Sequence, residues 1–409
     1  MGALPFGQSL DRSTRLRVVD TLAIVLAVSL PWSTSATAVL VALWLVAVVF
    51  TLVREDRDIL FTAAGGLPML LVLLGVAGMA WADVSLVERW GGLGSFLKLL
   101  LIPLMLAHFR RSDRGMDVFC GYLLSCIVLL LTSYAIVALH LETTLDFGVP
   151  VKNAATQSGE FATCILGLLY LSDGWMRQRR WLLVVLAATF AFAMLANLVF
   201  IATGRTALVV ILVLLVVFAA MHLTRRGIVV LCGAAVIVGA AAWFSSPYLR
   251  ERTEQIWSDA RAYEALDVRN SSGERIEFAK RSLEFIRTAP IIGHGTGTIH
   301  SQFLKAAAGK TGAAGVAAAN PHNQTFAVGI QLGLVGIAVL WAMWIAHLLL
   351  FRGAGLAAWI GLVVVVQNIV GSLFNSHLFD FLQGWTYVVG VGVAGGMMLR
   401  ARTMRGDAV

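Results

Sequence analysis

Long apolar runs separated by short polar turns fill most of the chain from residue 18 onward. A helix needs about 20 apolar residues to cross the hydrocarbon core of a bilayer. The pattern predicts twelve such spans, at residues 18–32, 35–53, 59–81, 90–108, 116–139, 156–173, 180–201, 204–223, 227–245, 322–351, 354–373 and 380–399. We therefore expect an all-α polytopic membrane protein.

One polar stretch, residues 246–320, interrupts this pattern between the ninth and tenth spans. Helical spacing predicts one helix from Leu249 to Leu266 and a second from Glu274 to Ala289. Ser271 and Glu274 have the spacing of a capping box at the start of the second helix. A segment with so little apolar content builds only a weak core of its own, so we expect it to lie on the membrane surface as a lid.

The polar stretch divides the chain into three parts. Residues 1–245 hold the first nine spans, residues 246–321 form the helical segment, and residues 322–409 hold the last three spans and a tail. Within the helical segment, residues 306–319 are rich in Ala and Gly, which predicts a mobile loop.

Composition supports a membrane protein. Of 409 residues, 59% are hydrophobic and only 13% are charged, about half the charge of soluble domains. All four cysteines lie in apolar runs, so no disulfide framework is indicated in the polar stretch. The net charge of +8 follows the loops of the membrane pattern and does not indicate nucleic-acid binding.

Loop charge predicts the orientation. The short loops on one side hold only Arg89, Lys152 and Arg205, whereas most other arginines of the short loops lie on the opposite side. The positive-inside rule therefore places both termini in the cytoplasm and residues 246–320 outside. Ala36-Thr37-Ala38 resembles a signal-peptide cleavage site, but the second apolar run continues through it.

Two polar residues stand out at the predicted outer ends of spans. His322, in Asn320-Pro321-His322-Asn323-Gln324, lies directly before the tenth apolar run, where a neutral imidazole can accept a proton from a hydroxyl. Arg205, in Thr203-Gly204-Arg205-Thr206, lies between two apolar runs with almost no loop. An arginine at that depth usually faces a cavity or an anion. The alternatives are an interfacial histidine bonded to a loop and an arginine that snorkels at a helix end.

Several further residues are weaker candidates. Lys98 lies in mid-span, and buried lysines in membranes tend to mark function. A solvated or structural role is the alternative for all of these candidates, which also include Lys152, Asn153, Arg275, Asn375, His377 and Asp380. We expect Lys280, Arg281 and Arg287 to be solvated. The turn Gly293-His294-Gly295-Thr296-Gly297 is flexible enough for its backbone to approach a ligand. No outer His, Asp and Glu cluster has metal-ligand spacing.

Together these features resemble the O-antigen ligase and O-antigen polymerase superfamily of bacterial envelope glycosyltransferases. The resemblance covers most of the chain, and Glu274 departs from it where the usual pattern runs Ser-Gly-Arg. The motifs that carry it are Thr203-Gly204-Arg205-Thr206; Ser272-Gly273-Glu274-Arg275 followed by Pro290-Ile291-Ile292-Gly293-His294-Gly295; and His322-Asn323 followed by Gln331-Leu332-Gly333-Leu334.

The resemblance implies a metal-independent enzyme without cofactors in the bacterial inner membrane, with its site facing the periplasm. It implies transfer of a glycan from undecaprenyl diphosphate to lipid A–core oligosaccharide. An O-antigen polymerase, a protein-glycosylating ligase and, from a different class, a lipid flippase or transporter remain alternatives.

The resemblance also implies roles for the candidate residues. We expect Arg205 and Arg275 to bind the diphosphate and His322 to act as general base, with Asn323 orienting its imidazole. Lys98 and Lys152, with Asn153 beside it, are expected to assist at the phosphates. Gly293 and Gly295 are expected to let the loop close over the site, and Asn375 and His377 to shape a pocket for the acceptor sugar.

Overall fold

The computed structural model describes residues 11–141, 145–245 and 269–406, together with six positions between 250 and 261. Within these residues the chain forms helices and contains no β-strand. The helix predicted from Leu249 to Leu266 lies largely outside the described residues.

The described residues form sixteen α-helices, three of them adjoining short 3₁₀ turns. Their bounds are α1 Arg12–Ser29, α2 Thr34–Val49, α3 Asp58–Phe61, α4 Ala63–Gly78, α5 Leu86–Leu97, α6 Leu101–Arg111, α7 Gly115–Ala138, α8 Ala154–Arg177, α9 Trp181–Phe200, α10 Arg205–His222, α11 Arg225–Ser245, α12 Ser271–Thr288, α13 Ile299–Ala307, α14 Gln324–Leu350, α15 Leu356–Gly371 and α16 Phe381–Arg405.

Seven stretches of helix in the described part are long and apolar enough to cross a membrane. They are Leu86–Arg111, Gly115–Ala138, Trp181–Phe200, Arg205–His222, Arg225–Ser245, Gln324–Leu350 and Phe381–Arg405. An eighth is added if Arg54–Phe61 and Ala63–Gly78, which meet at a bend of 77°, form one broken span. The prediction of a polytopic α-helical membrane protein is confirmed, and the count of twelve spans stays a prediction.

Two apolar cores share α15. The first core joins α1, α2, α4, α6, α14 and α16, and the second joins α7, α8, α9 and α10. From α15, Val364 and Val365 enter the first core, whereas Trp359 and Val363 enter the second. Adjacent positions on one helix thus pack in opposite directions, and α15 holds the two halves of the bundle together.

Helix α14 is broken at Gly333, where φ is 63° and ψ is −158°. A break frees backbone groups that must find other partners in an apolar bundle. The loop after α12 supplies them. The N–H groups of Leu334 and Val335 donate to the carbonyls of Pro290 (2.7 Å) and Ile291 (3.2 Å).

The same loop also donates to α14 on the other side of the break. The N–H groups of His294 and Gly295 donate to the carbonyls of Ile330 (2.8 Å) and Gln331 (2.9 Å). The Pro290–Gly295 and Gln331–Leu334 motifs are therefore two halves of one backbone joint.

The glycine-rich turn packs against the chain's own helices. Gly293, Gly295 and Gly297 all have positive φ, and added side chains would collide with Gln331, Ala82 and Glu88 respectively. Thr296 fastens the turn to α4, its N–H donating to the carbonyl of Gly78 (3.0 Å) and its Oγ1 to that of Gly75 (2.6 Å). The backbone that the sequence suggested would approach a ligand approaches α4, α5 and α14 instead.

Two local predictions for this region are wrong. The side chain of Asn270 caps α12 by accepting from the N–H of Gly273 (2.8 Å), so the capping box of Ser271 and Glu274 does not form. Arg281 is 3% exposed because it pairs with Glu277 and donates to the Ala314 carbonyl. Within the Ala- and Gly-rich segment Ala313 and Ala318 are buried, and its mobility stays a prediction.

We predict that Gly333→Ala destabilises the protein. A φ of 63° with a ψ of −158° is a backbone conformation open almost only to glycine and costs another residue about 1–3 kcal/mol. The Cβ of an alanine would also collide with the Ile291 carbonyl. We expect a lower apparent melting temperature of the detergent-purified protein. Gly94→Ala is the control because its Cβ meets no atom within 4 Å. Equal melting temperatures for the two variants would contradict this account of the joint.

Candidate functional site

A cavity of about 650 Å³ opens between α8, α10, α12 and the loop before α16. It brings together three candidates that the sequence places far apart, Arg205, Arg275 and His322. Asn375 and His377 also line it. These five residues come from four separate parts of the chain, so tertiary packing creates the site.

Three helices present their N-termini to this cavity. Ala155, Arg205 and Ser271, each in the first turn of α8, α10 or α12, line it. A helix N-terminus carries partial positive charge and unpaired N–H groups. Asn153 and Asn270 cap α8 and α12, but α10 has no side-chain cap. The first turn of α10 is therefore available to an anion.

Gly204 allows the N-terminus of α10 to lie this close to α8. A Cβ at Gly204 would collide with the Oγ of Ser158 on α8. Gly204, Arg205 and Thr206 all line the cavity. The Thr203-Gly204-Arg205-Thr206 motif thus combines a close helix approach, free backbone donors and a guanidinium.

The two arginines face the cavity without a neutralising carboxylate among the described residues. Arg205 and Arg275 line the cavity and take part in none of the ion pairs there. The neighbouring Glu274 is engaged by Arg269 (2.8 Å). Burial and then the positive charge of Arg205 lower the pKa of Arg275. An anion bound between the guanidiniums would relieve this repulsion and could accept bidentate hydrogen bonds.

A hydrogen-bonded chain holds His322, which precedes α14. Its Nδ1 lies 3.0 Å from Oδ1 of Asn375, and Nδ2 of Asn375 donates to Oδ2 of Asp380 (2.6 Å). Because an ionised carboxylate only accepts, the Asn375 amide nitrogen must face Asp380 and its oxygen must face His322. Nδ1 then carries the proton, which leaves Nε2 with a free lone pair.

The surroundings favour a neutral imidazole at His322. Burial lowers its pKa below the ordinary value, and the charge of Arg275 lowers it further, against the hydrogen bond of Asn375, which raises it. Burial raises the pKa of Asp380 to about 6, with Lys98 opposing that rise. At neutral pH the hydrogen-bonded set His322–Asn375–Asp380 therefore has an uncharged base at one end, His322, and a carboxylate at the other, Asp380.

The backbone around His322 is held in an unusual conformation. Its φ is 54°, in the left-handed region that residues other than Gly rarely adopt. Asn320 holds this turn, with its Oδ1 accepting from the His322 N–H (2.8 Å) and its Nδ2 donating to Asn375 (2.9 Å). The ring of Phe278 stacks on the imidazole, with centroids 6.1 Å apart.

His377 is a second neutral histidine of the cavity. Burial lowers its pKa to about 4. Its ring lies against Gly371, where an added Cβ would collide with the imidazole. His377 can therefore offer an uncharged polar group to a ligand.

The other predicted site residues lie outside this cavity and contact the protein. Nζ of Lys98 donates to the carbonyls of Phe379 (3.2 Å) and Asp380 (2.8 Å), and Nζ of Lys152 to that of Leu30 (2.6 Å). Asn153 caps α8 and Asn323 caps α14. Asn375, and not Asn323, contacts the imidazole. Gly293 and Gly295 belong to the joint at Gly333.

Sequence reasoning missed Asn320 and underrated Asp380. Both contact Asn375, which is distant from Asn320 in sequence, so no local pattern reveals their link to His322. Within the described residues, no three His, Cys, Asp or Glu side chains are grouped closely enough to hold a metal ion.

Comparison with known families supports the resemblance found in the motifs. Residues 190–342 match the family model described as O-antigen ligase. No curated protein matches the chain. The matched region contains Arg205, Arg275 and His322, together with both halves of the joint at Gly333. The predicted resemblance to this family is confirmed, and it supports a glycosyltransferase of the O-antigen ligase or polymerase type in a multi-pass membrane protein.

We predict that Asn375→Ala frees the imidazole of His322. Losing this hydrogen bond, which raises the pKa, should lower the pKa by about half a unit to one unit. The proton should also spread to the Nε2 position. Chemical shifts of ¹⁵N-labelled imidazole in detergent micelles report both changes.

The control for this prediction is Asn323→Ser, which keeps a capping side chain on α14 but removes the amide. We expect it to leave the His322 shifts unchanged. Altered shifts in Asn323→Ser with normal shifts in Asn375→Ala would return the orienting role to Asn323.

Proposed function

We propose that this protein is an O-antigen ligase. It transfers a glycan from undecaprenyl diphosphate to lipid A–core oligosaccharide at the periplasmic face of the bacterial inner membrane, with both termini in the cytoplasm. The observation that carries the proposal is one cavity that combines two arginines, an uncapped helix N-terminus and a histidine held by Asn375. The arginines form no ion pair with any described residue.

The arginines and α10 bind the diphosphate of the donor. A guanidinium grips phosphate oxygens bidentately and stays charged throughout. Negative charge grows on the diphosphate as the glycosidic bond breaks, so contacts from Arg205, Arg275 and the first turn of α10 strengthen in the transition state. In this proposal fixed cationic groups of the protein do the work of a metal ion.

His322 is the general base. Its Nε2 takes the proton of an acceptor hydroxyl while that oxygen attacks the anomeric carbon. The bond from this carbon to the diphosphate breaks, the electron pair leaves with the diphosphate, and the configuration inverts. Asn375 and Asp380 stabilise the imidazolium through Nδ1–H, and the proton then passes to water.

Asn375 and His377 contact the reacting sugars from the loop before α16. The remaining predicted residues act through position. Lys98 holds the loop that carries Asp380, Lys152 and Asn153 fix the start of α8, and Asn323 fixes the start of α14.

The nearest alternatives share this chemistry but differ in the acceptor. A polymerase uses a second lipid-linked glycan, and a protein-glycosylating ligase uses a serine or threonine hydroxyl. A flippase forms no glycosidic bond at all. One reconstituted assay therefore distinguishes these alternatives by the product that each would form.

We predict metal-independent transfer by the purified protein in the presence of EDTA. Wild-type protein given undecaprenyl-diphosphate-linked glycan and lipid A–core should produce slower-migrating lipopolysaccharide. His322→Ala should lower the rate about 10²–10⁴-fold. Arg205→Lys should lower it about 10²-fold, because lysine lacks the planar fork.

Arg226→Lys is the matched control, an exposed arginine at the start of α11 that should keep normal activity. Near-normal transfer by His322→Ala would remove its role as base. Loss of wild-type transfer on chelation would overturn metal independence. Product only with a lipid-linked or peptide acceptor would favour the polymerase or the protein ligase.

We also predict that Lys98→Met slows turnover without weakening donor binding. The lysine is 7% exposed and holds the backbone at Asp380, so its loss should misplace the chain that orients His322. Displacements of this kind cost about 10- to 100-fold in rate. We expect kcat to fall and the KM for the donor to stay the same.

Lys310→Met, at an exposed lysine of the loop after α13, is the control for general effects of losing a charge. A raised donor KM with normal kcat in Lys98→Met would make Lys98 a phosphate contact after all.

A further inference from the structure

A second cavity, of about 370 Å³, lies next to the His322 loop. Its polar lining comes from α5, the start of α13, α14 and the two loops that carry the catalytic network. The polar side chains are Glu88, Ser95, His300, Asn320, Gln331, Ser376 and Asp380. No part of α8, α10 or α12, which form the arginine cavity, lines it.

The two cavities are separated by a shared hydrogen-bonded wall. Oδ1 of Asn320 accepts from the N–H of His322 (2.8 Å) and from Oγ of Ser376 (2.7 Å). Asp380 lines the second cavity and accepts from Asn375, which lines the first. A ligand in the second cavity would therefore touch the groups that orient the base.

The two cavities differ in charge. The first is lined by Arg205 and Arg275, whereas the second is lined by two acidic residues, Glu88 and Asp380, and by neither arginine. A diphosphate is attracted to the first and repelled by the second. Carboxylates, amides and hydroxyls are the side-chain groups that exchange hydrogen bonds with sugar hydroxyls. The second cavity therefore suits an uncharged sugar.

We propose that the second cavity is the subsite for the acceptor, binding a neutral, hydroxyl-rich sugar of the acceptor oligosaccharide. This inference rests on the proposed function and gives its second substrate a place. An inverting displacement requires the acceptor to arrive opposite the leaving group. The cavity adjoins His322 through Asn320 and Pro321 and contains neither arginine.

Two glycines on α5 provide a matched test. Gly91 lines the second cavity, and a Cβ placed on it meets no atom within 4 Å. Gly94 has equally open surroundings but does not line either cavity. Gly91→Trp places a bulky side chain at the wall of the cavity, while Gly94→Trp makes the same substitution on the same helix away from it.

The experiment measures binding of two labelled probes to each purified variant. Gly91→Trp should weaken binding of lipid A–core about tenfold or more, as expected for the loss of one or two hydrogen bonds. It should leave the affinity for undecaprenyl-diphosphate-linked glycan unchanged. Gly94→Trp should match wild type for both probes.

Equal lipid A–core affinity in the two variants would overturn the subsite, as would absence of lipid A–core binding by wild type. Weaker binding of the donor alone would assign the cavity to donor sugars instead, which also overturns the proposal. Binding does not depend on turnover. A wild type that binds the acceptor in this cavity but transfers nothing would refute the proposed reaction and not the subsite.

Discussion

The break in α14 at Gly333 is the constraint on which the rest of the structure depends. An apolar bundle offers no water to freed backbone groups, so a broken helix there needs partners from its own chain. Pro290, Ile291, His294 and Gly295 supply them. The joint fixes the loop between α12, which carries Arg275, and α14, which follows His322. A backbone requirement of α14 therefore contributes to the placement of Arg275 relative to His322.

The same logic extends across the site as a continuous set of hydrogen bonds. Lys98 fixes the backbone at Asp380, Asp380 fixes Asn375, and Asn375 fixes the imidazole. The links from Lys98 to Asp380 and from Asn375 to His322 join distant parts of the chain, and the link from Asp380 to Asn375 lies within the loop before α16. The apolar cores bring these segments together, and the polar links then select one rotamer and one tautomer at His322. Precision at the base thus comes from the packing of α5, α14 and α16 together.

Sequence reasoning found the residues whose local context is unusual and missed those defined by tertiary contacts. Arg205 and His322 lie at the ends of apolar runs, where charge or polarity is costly. The hydrophobic pattern alone therefore identifies them as candidate site residues. Asn375 bonds across the bundle to His322, and no spacing rule connects them. The mid-span position of Lys98 correctly predicts its burial, but not its hydrogen bonds to the carbonyls of Phe379 and Asp380. The sequence indicates that the turn Gly293–Gly297 has a flexible backbone. Its contacts with α4, α5 and α14 depend on tertiary packing, which the sequence alone does not give.

Several local costs meet at the arginine cavity. Two guanidiniums repel each other, α10 begins without a side-chain cap, and His322 holds a positive φ. Each feature is unfavourable by itself, and strain of this kind persists where surrounding structure enforces it. A dianionic ligand would offset the first two, because it pairs with both guanidiniums and accepts from the free N–H groups of α10. The third places the imidazole against Phe278 and Asn375. The arginine cavity is therefore electrostatically complementary to a diphosphate, and the second cavity is not.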